Sequence, residues 1–238
     1  MAQPITNCIT LGGVDFDVRF RSPVTPLYFR DFLSQTGQPR HPEAVAVDRE
    51  ELSGSDNEPF TEFNLLLRAF STALLPHDRC LFHGVALAIG ERAWLLTAPS
   101  GTGKSTQYRL WKRLFGDDVR LICGDKPVLE FRDGEIWVHP SPWMGKERWS
   151  GSPAAKLAGI VYLEQGSRNT IRPMAVSEAV VPLYAQFLCH PTEEGHLRRL
   201  SAMLERLLTA VPVWKLVNLG DEDSARLTAE TLLGKGGT

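Results

Sequence analysis

Apolar and polar positions alternate along the chain in two rhythms, and their order outlines the elements. In residues 8–20, Ile9, Leu11, Val14, Phe16, Val18 and Phe20 alternate with polar neighbours around Gly12-Gly13. That is the pattern of a β-hairpin. Residues 34–59 are rich in Pro, Gly, Ser, Asp and Glu and read as loop, with Val45-Ala46-Val47 as a short strand and residues 53–59 as an exposed turn. From Thr61 the period becomes helical. Phe63, Leu66, Leu67, Phe70, Leu74 and Leu75 share one stripe, and Pro76 ends it. Phe60, Phe63 and Phe70 fall at helical spacing and read as core side chains.

The next stretch sets the fold class. Residues 81–89 read as one strand, Gly90-Glu91 as a turn and residues 93–97 as a short apolar strand. A Gly-rich loop and a helix to about Phe115 follow, then a strand over 119–123. Runs 128–131 and 136–139 flank Asp133-Gly134, a strong hairpin signal. A strand over 157–163 precedes helical stretches at 177–188 and 193–209. A strand over 213–219 and a helix over 224–233, with Asp221 or Asp223 as its cap, complete the pattern. Strands alternate with helices and outnumber those a plain doubly wound fold needs. The expectation is therefore an α/β protein with a mixed sheet. Residues 1–60 are expected to form a small β-rich extension packed on a core domain spanning 61–238.

Composition narrows the class without changing this outline. The chain has 238 residues, with 26 Lys and Arg against 28 Asp and Glu, for a net charge of −2. This argues against binding nucleic acid through bulk phosphate neutralisation. No apolar run reaches membrane-spanning length, and the first residues lack the basic and apolar regions of a signal peptide, so a cytoplasmic protein is expected. Cys8, Cys80, Cys123 and Cys189 are far apart without C-x-x-C spacing, and read as free thiols rather than a metal site. His139, His190 and His196 show no partner spacing and read as structural or exposed. No G-x-S-x-G elbow, H-E-x-x-H site or dinucleotide fingerprint occurs, which leaves hydrolase and dehydrogenase readings unsupported.

Candidate chemistry centres on Ala98-Pro99-Ser100-Gly101-Thr102-Gly103-Lys104-Ser105-Thr106. It matches the back half of G-x-x-x-x-G-K-[ST], with Ala98 where the first Gly is usual, and lies between an expected strand and an expected helix. Gly101 and Gly103 let backbone N–H groups curl toward phosphate oxygens, and the helix N-terminus favours anions. Lys104 reaches the β and γ phosphates, Ser105 offers a hydroxyl to Mg²⁺, and Thr106 stands beside it. Ser100 to Thr106 are thus the expected nucleotide-binding residues.

Three segments in order resemble the core of bacterial HPr kinase/phosphorylase and the wider phosphoenolpyruvate-carboxykinase-like P-loop fold. They are His83-Gly84-Val85-Ala86-Leu87, Leu96 through Ser105, and Arg120-Leu121-Ile122-Cys123-Gly124-Asp125. The resemblance covers residues 82–128, extends thinly to 163 and leaves the first 60 residues uncovered. It implies a mixed-sheet P-loop domain that transfers the γ-phosphate of ATP, with Mg²⁺, to a protein serine. It also implies catalytic roles for Lys104, for Asp125 as the base toward the accepting hydroxyl, and for His83 close to the γ-phosphate. The family shows two adjacent aspartates; here the first is Gly124, so only Asp125 carries over.

Asp125 follows a strand, where a carboxylate points into a phosphate site and holds Mg²⁺. The resemblance further implies Glu147 as a second acidic metal ligand beside Ser105 and Asp125. It sits in an unusual loop, residues 140–151, with two Trp and several charges. Trp143, Lys146 and Arg148 are substrate candidates there, the two cations neutralising a transferring phosphoryl group. The alternative is a loop held by a Trp anchor with solvated charges. Lys126 either pairs with Asp125 or touches substrate. The resulting expectation is an ATP-dependent kinase acting on a hydroxyl of a protein, a peptide or a small polyol. The alternative is a nucleotide-binding sensor or accessory protein of the same fold without catalysis; Gly124 favours the sensor. The expected partners are ATP and that acceptor, with no nucleic acid or membrane and with a homo-oligomer left open.

Overall fold

The alternation around Gly12-Gly13 folds as a hairpin. β1 (Ile5–Leu11) and β2 (Val14–Phe20) pair antiparallel, with Leu11 opposite Val14. The computed structural model describes residues 5–35, 44–147, 151–191 and 193–234. β3 (Val45–Ala46) adds to β2 in parallel and makes a three-stranded sheet. Helix α1 (Glu58–Ala73) begins three residues before the expected Thr61, because Asn57 caps it by accepting from Phe60 N–H and Pro59 suits its first turn.

Leu66, Phe70 and Leu74 of this segment pack with Ile9, Phe16, Phe20 and Phe29 in one buried cluster. Leu81, Val128 and Trp143, from later in the chain, complete it. Glu62 is fully buried there; its carboxylate accepts from Ser22 N–H (3.0 Å), Thr25 Oγ1 (2.6 Å) and Arg21 N–H. Three donors satisfy a group that is otherwise expensive to bury, and they tie the bend after β2 to α1. The expectation that Phe60, Phe63 and Phe70 are all core needs correction. Phe70 is fully buried, but Phe60 is 51% exposed. Phe60 stands one turn outside the buried stripe, its ring 6.5 Å from that of Phe63.

Among the described residues the other strands form one ten-stranded sheet. Its strands are β4 (Arg79–Phe82), β5 (Val85–Ile89), β6 (Arg92–Thr97), β7 (Val119–Cys123), β8 (Val128–Arg132), β9 (Glu135–His139), β10 (Ala155–Gln165), β11 (Thr170–Pro173), β12 (Phe187–Leu188) and β13 (Val213–Asn218). The order is β12-β4-β8-β9-β10-β6-β5-β7, with β13 on β10 and β11 on β13. β10 runs parallel to β6 and β13, and the remaining pairs are antiparallel. The fold is thus α/β with a large mixed sheet. Helix α2 (Lys104–Phe115) packs over β5, β6 and β7 beside α5 (Glu222–Leu233), and α3 (Val176–Tyr184) packs with α4 (Glu194–Ala210). Asp221 caps α5, accepting from Ser224 N–H at 2.9 Å. No helix among the described residues is long and apolar enough to cross a membrane.

Three expectations change. The run 81–89 is not one strand: β4 pairs with β8 and β12, whereas β5 pairs with β6 and β7. The chain switches sheet position at His83-Gly84, whose N–H groups donate to Gln186 O and Asp125 O, both at 2.8 Å. His83-Gly84 interrupts an otherwise apolar run, and the strand pairing changes at that interruption. The helix expected over 177–188 stops at Tyr184, just after Pro182, and Phe187–Leu188 pair with β4 instead. β11 is an additional strand, too short for its alternation to stand out in the sequence.

The switch positions the site. β6 and β7 both run antiparallel to β5, so their carboxyl ends emerge where β5 begins. Ligands in open α/β sheets bind at such edges.

A second polar cluster joins the two sheets. Arg79 Nε donates to Gly12 O (3.0 Å), its guanidinium meets Glu130, and the second oxygen of Glu130 lies 2.7 Å from His139 Nε2. Burial pulls the His139 pKa below its ordinary 6.5, against Glu130 and with Arg79 and Arg132. His83 is lowered as well, by burial first and then by Lys104. Both rings therefore bind protons more weakly folded than unfolded. Stability is full above about pH 6.5 and declines as the pH falls below it, until the folded-state pKa values are passed. Urea unfolding at about pH 7.5 and 5.5 is expected to show a lower midpoint at the acid value. His139→Gln, which can still donate to Glu130, should shrink that difference; an unchanged difference would remove His139 as a contributor.

Candidate functional site

β6 is apolar from Ala93 to Leu96, where it lies buried inside the sheet, and it delivers the loop 98–103 to the carboxyl edge. Ala98, where the motif more often has glycine, is fully buried, and its methyl group joins the main core. The departure from the motif is accommodated by packing. Gly101 (φ +82°) and Gly103 (φ +106°) occupy the left-handed region, which only glycine enters without strain. α2 starts at Lys104 with no side chain capping its first turn. Its N-terminal N–H groups and dipole are thus left for an anion.

Ser100, Gly101, Gly103, Lys104, Ser105 and Thr106 line a cleft of about 470 Å³ together with His83, Arg109, Gly124, Asp125, Gly145 and Lys146. The structure therefore gathers the Gly-rich loop, His83 and Asp125 from three separate strand ends. Thr102 is not on the cleft; its hydroxyl donates to Pro99 O (2.9 Å) and braces the loop. Lys104 curls back so that Nζ donates to Ala98 O (2.8 Å) and Pro99 O (3.1 Å). Burial lowers the Lys104 pKa from its usual 10.5, with Asp125 opposing the shift.

The carboxylate of Asp125 lies between two bases. Oδ1 is 3.5 Å from His83 Nε2, and Oδ2 is paired with Lys126 Nζ. Of the two readings open for Lys126, the pairing with Asp125 is the one observed. Its backbone is also pinned, N–H donating to Trp143 O (3.1 Å) and the carbonyl accepting from Ser141 Oγ (2.6 Å). His83 Nδ1 lies 3.0 Å from Gln186 Oε1.

The loop after β9 crosses the end of β7, and Gly124 is the point of contact. A Cβ built there would lie 2.3 Å from Met144 O and 2.9 Å from Glu147 Cβ. A side chain at position 124 is thus excluded sterically, since the crossing backbone fills that space. Gly124→Ala is expected to destabilise the fold by about 1–3 kcal/mol, the usual penalty of overpacking. Chemical denaturation checks this, and an unchanged midpoint would refute the steric account.

The expected substrate residues separate. Lys146 lines the cleft. Arg148 lies outside the described residues. Trp143 requires correction: it is 4% exposed and faces away, its ring packed on Phe29, Phe63 and Phe70, with Nε1 donating to Phe63 O (3.1 Å). It is the anchor that fastens the crossing loop to α1. Glu147 is engaged by Arg109 at 2.8 Å rather than turned onto Asp125. Arg109 and Gln186 are site residues that no sequence motif marks. Arg109 stands four positions after Ser105, on the same face of α2, and that spacing is the one signal the sequence holds for it. Gln186, distant in sequence and in no motif, offers none.

No cluster of three or more His, Cys, Asp and Glu side chains that would hold a metal occurs among the described residues. The donors on the cleft, the Ser105 hydroxyl and the Asp125 carboxylate, are hard oxygens. They fit Mg²⁺, which binds through one or two carboxylates and substrate phosphates and keeps several waters.

No family model and no curated protein matches this chain. Among solved structures it is similar to the HPr(Ser) kinase/phosphatase from Coxiella burnetii, at 12% identity and a TM-score of 0.38, over 64% of this chain and 96% of that one. At that identity and overlap the likeness assigns no chemistry to this chain, whose mixed α/β fold stands on its own strand order.

Proposed function

We propose that the chain is an ATP-dependent phosphotransferase that moves the γ-phosphate of Mg·ATP to a hydroxyl. The observation that carries this reading is the convergence of an uncapped helix N-terminus, Lys104 and Ser105 with Asp125 and His83 on one cleft. Lys104 and the first N–H groups of α2 bind the phosphates and hold charge on the departing ADP. Arg109 and Lys146 add positive charge at the rim. Mg²⁺, held by Ser105 and Asp125, would neutralise charge on the β and γ phosphates. The acceptor oxygen forms its bond to the γ-phosphorus as the bridging bond to ADP breaks, and its proton passes to the Asp125 carboxylate. The transition state is loose, so positioning and charge neutralisation supply most of the acceleration.

A second reading, a nucleotide sensor without catalysis, is favoured by one observation. Both carboxylates near the cleft are already paired, Asp125 with Lys126 and Glu147 with Arg109. Calorimetry with ATP and Mg²⁺, followed by incubation with γ-labelled ATP and a panel of peptides and polyols, separates the readings. Label on a hydroxyl supports transfer, binding without turnover selects the sensor, and no ATP binding overturns both.

A further inference from the structure

Gln186 holds His83 by both main chain and side chain. Its carbonyl accepts from His83 N–H at 2.8 Å, and its Oε1 lies 3.0 Å from His83 Nδ1. Gln186 is itself buried, and its Nε2 donates to Pro182 O at 3.2 Å, near the end of α3. That bond decides which way the amide faces: the nitrogen is spent on Pro182, so the oxygen meets the imidazole. An amide oxygen only accepts. Nδ1 must therefore carry the proton, and in the neutral ring Nε2 is left with a bare lone pair. Nε2 is the nitrogen that faces Asp125 Oδ1 at 3.5 Å.

Two acceptors thus face one another on the cleft, with no proton of their own to share. Asp125, Lys104, Lys126 and Gln186 are the charged and polar groups that bear on this ring. The tautomer follows from the Gln186 geometry for the ring in its neutral form, which an imidazole takes well above its ordinary pKa of about 6.5. A neutral His83 of this tautomer does not donate to Asp125 and so does not orient it in that way. What it offers is a second acceptor beside the carboxylate.

We propose that Gln186 is a positioning residue that sets the Nδ1-protonated tautomer of His83, so that Nε2 and Asp125 together receive the O–H of the hydroxyl substrate. This deepens the phosphotransfer reading and rests on it for the identity of the incoming group. The tautomer itself does not depend on that reading. The paired acceptors select a group with a proton to donate, such as an alcohol, and disfavour a carboxylate or a second phosphate as acceptor. A wrong tautomer at such a position is costly to rate while leaving binding intact.

The test is long-range ¹H–¹⁵N spectroscopy of the full chain without nucleotide at about pH 8.5, well above the ordinary imidazole range, with His83 assigned through His83→Asn. Wild type is expected to show an unprotonated-type shift at Nε2 and a protonated-type shift at Nδ1. Gln186→Leu removes the acceptor and should move His83 toward the Nε2-protonated form, which can donate to Asp125. Gln186→Glu still accepts from Nδ1–H and should restore the wild-type pattern. In transfer assays kcat should fall at least about tenfold in Gln186→Leu with KM for ATP little changed, and Gln186→Glu should recover most of the loss. An Nε2-protonated His83 in wild type overturns the proposal, and that spectrum decides even if a variant fails to fold. An unmoved tautomer in a folded Gln186→Leu overturns it too. Failure to bind ATP would instead remove the phosphotransfer reading and leave the tautomer assignment standing.

Discussion

Lys104→Ala is expected to weaken Mg·ATP binding by about three orders of magnitude. A unit charge pair at about 4 Å near a protein surface is worth about 4 kcal/mol, which corresponds to a factor of about 10³ in Kd. The ammonium is held at the loop by Ala98 O and Pro99 O. Lys104→Met preserves most of the side-chain volume and should lose the same affinity, which separates charge from packing. Both variants should retain the helical and sheet signal of the wild type. Calorimetric titration with ATP is the measurement. An affinity unchanged in both variants would take the loop 98–103 out of the binding site.

Asp125→Asn is the second large effect, and it falls on turnover rather than binding. The amide keeps the shape of the carboxylate and its place at the end of β7, while removing the proposed acceptor of the hydroxyl proton. General-base help is typically worth about 10²–10⁴ in rate, and a loss of that order in kcat is expected. Affinity for ATP should stay within about tenfold, or ~1.4 kcal/mol. Lys126 loses its ion partner in this variant and becomes free to contact phosphate, which keeps the binding change small. Single-turnover transfer with labelled ATP reads the chemical step directly. Near-wild-type turnover in Asp125→Asn, combined with inactivity of His83→Ala, would move the base to His83.

Part of the cleft lining is legible in the amino-acid sequence because its pattern is local. The Gly-rich loop is contiguous, and Gly101 and Gly103 take positive φ angles that favour glycine. Asp125, which lines the cleft, is marked as a candidate by a short-range pattern, a carboxylate just after a strand. Trp143 misleads for the opposite reason. Two tryptophans in a loop look the same whether they wait for a ligand or anchor the loop, and only the rings of Phe29, Phe63 and Phe70 around Trp143 settle which it is. Gly124 reads as a lost acid in the sequence, whereas in the fold Met144 and Glu147 cross it and leave no room for a side chain.

Periodicity, turn chemistry and capping act over a few residues, so the hairpins, most helices and the α/β class with its mixed strands follow from the chain alone. The order of the strands does not. His83-Gly84 interrupts its apolar run locally, but the hydrogen bonds that hold the break go to Gln186 and Asp125, and Gln186 lies far along the chain. The same holds for the pairing of Arg109 with Glu147 and for the grip of Gln186 on His83 across 103 positions. Local free energies choose each element, whereas burial of the sheet and satisfaction of its polar edges choose their neighbours. The Gly-rich loop belongs to the first kind of decision, and the surroundings of Asp125 and His83 belong to the second.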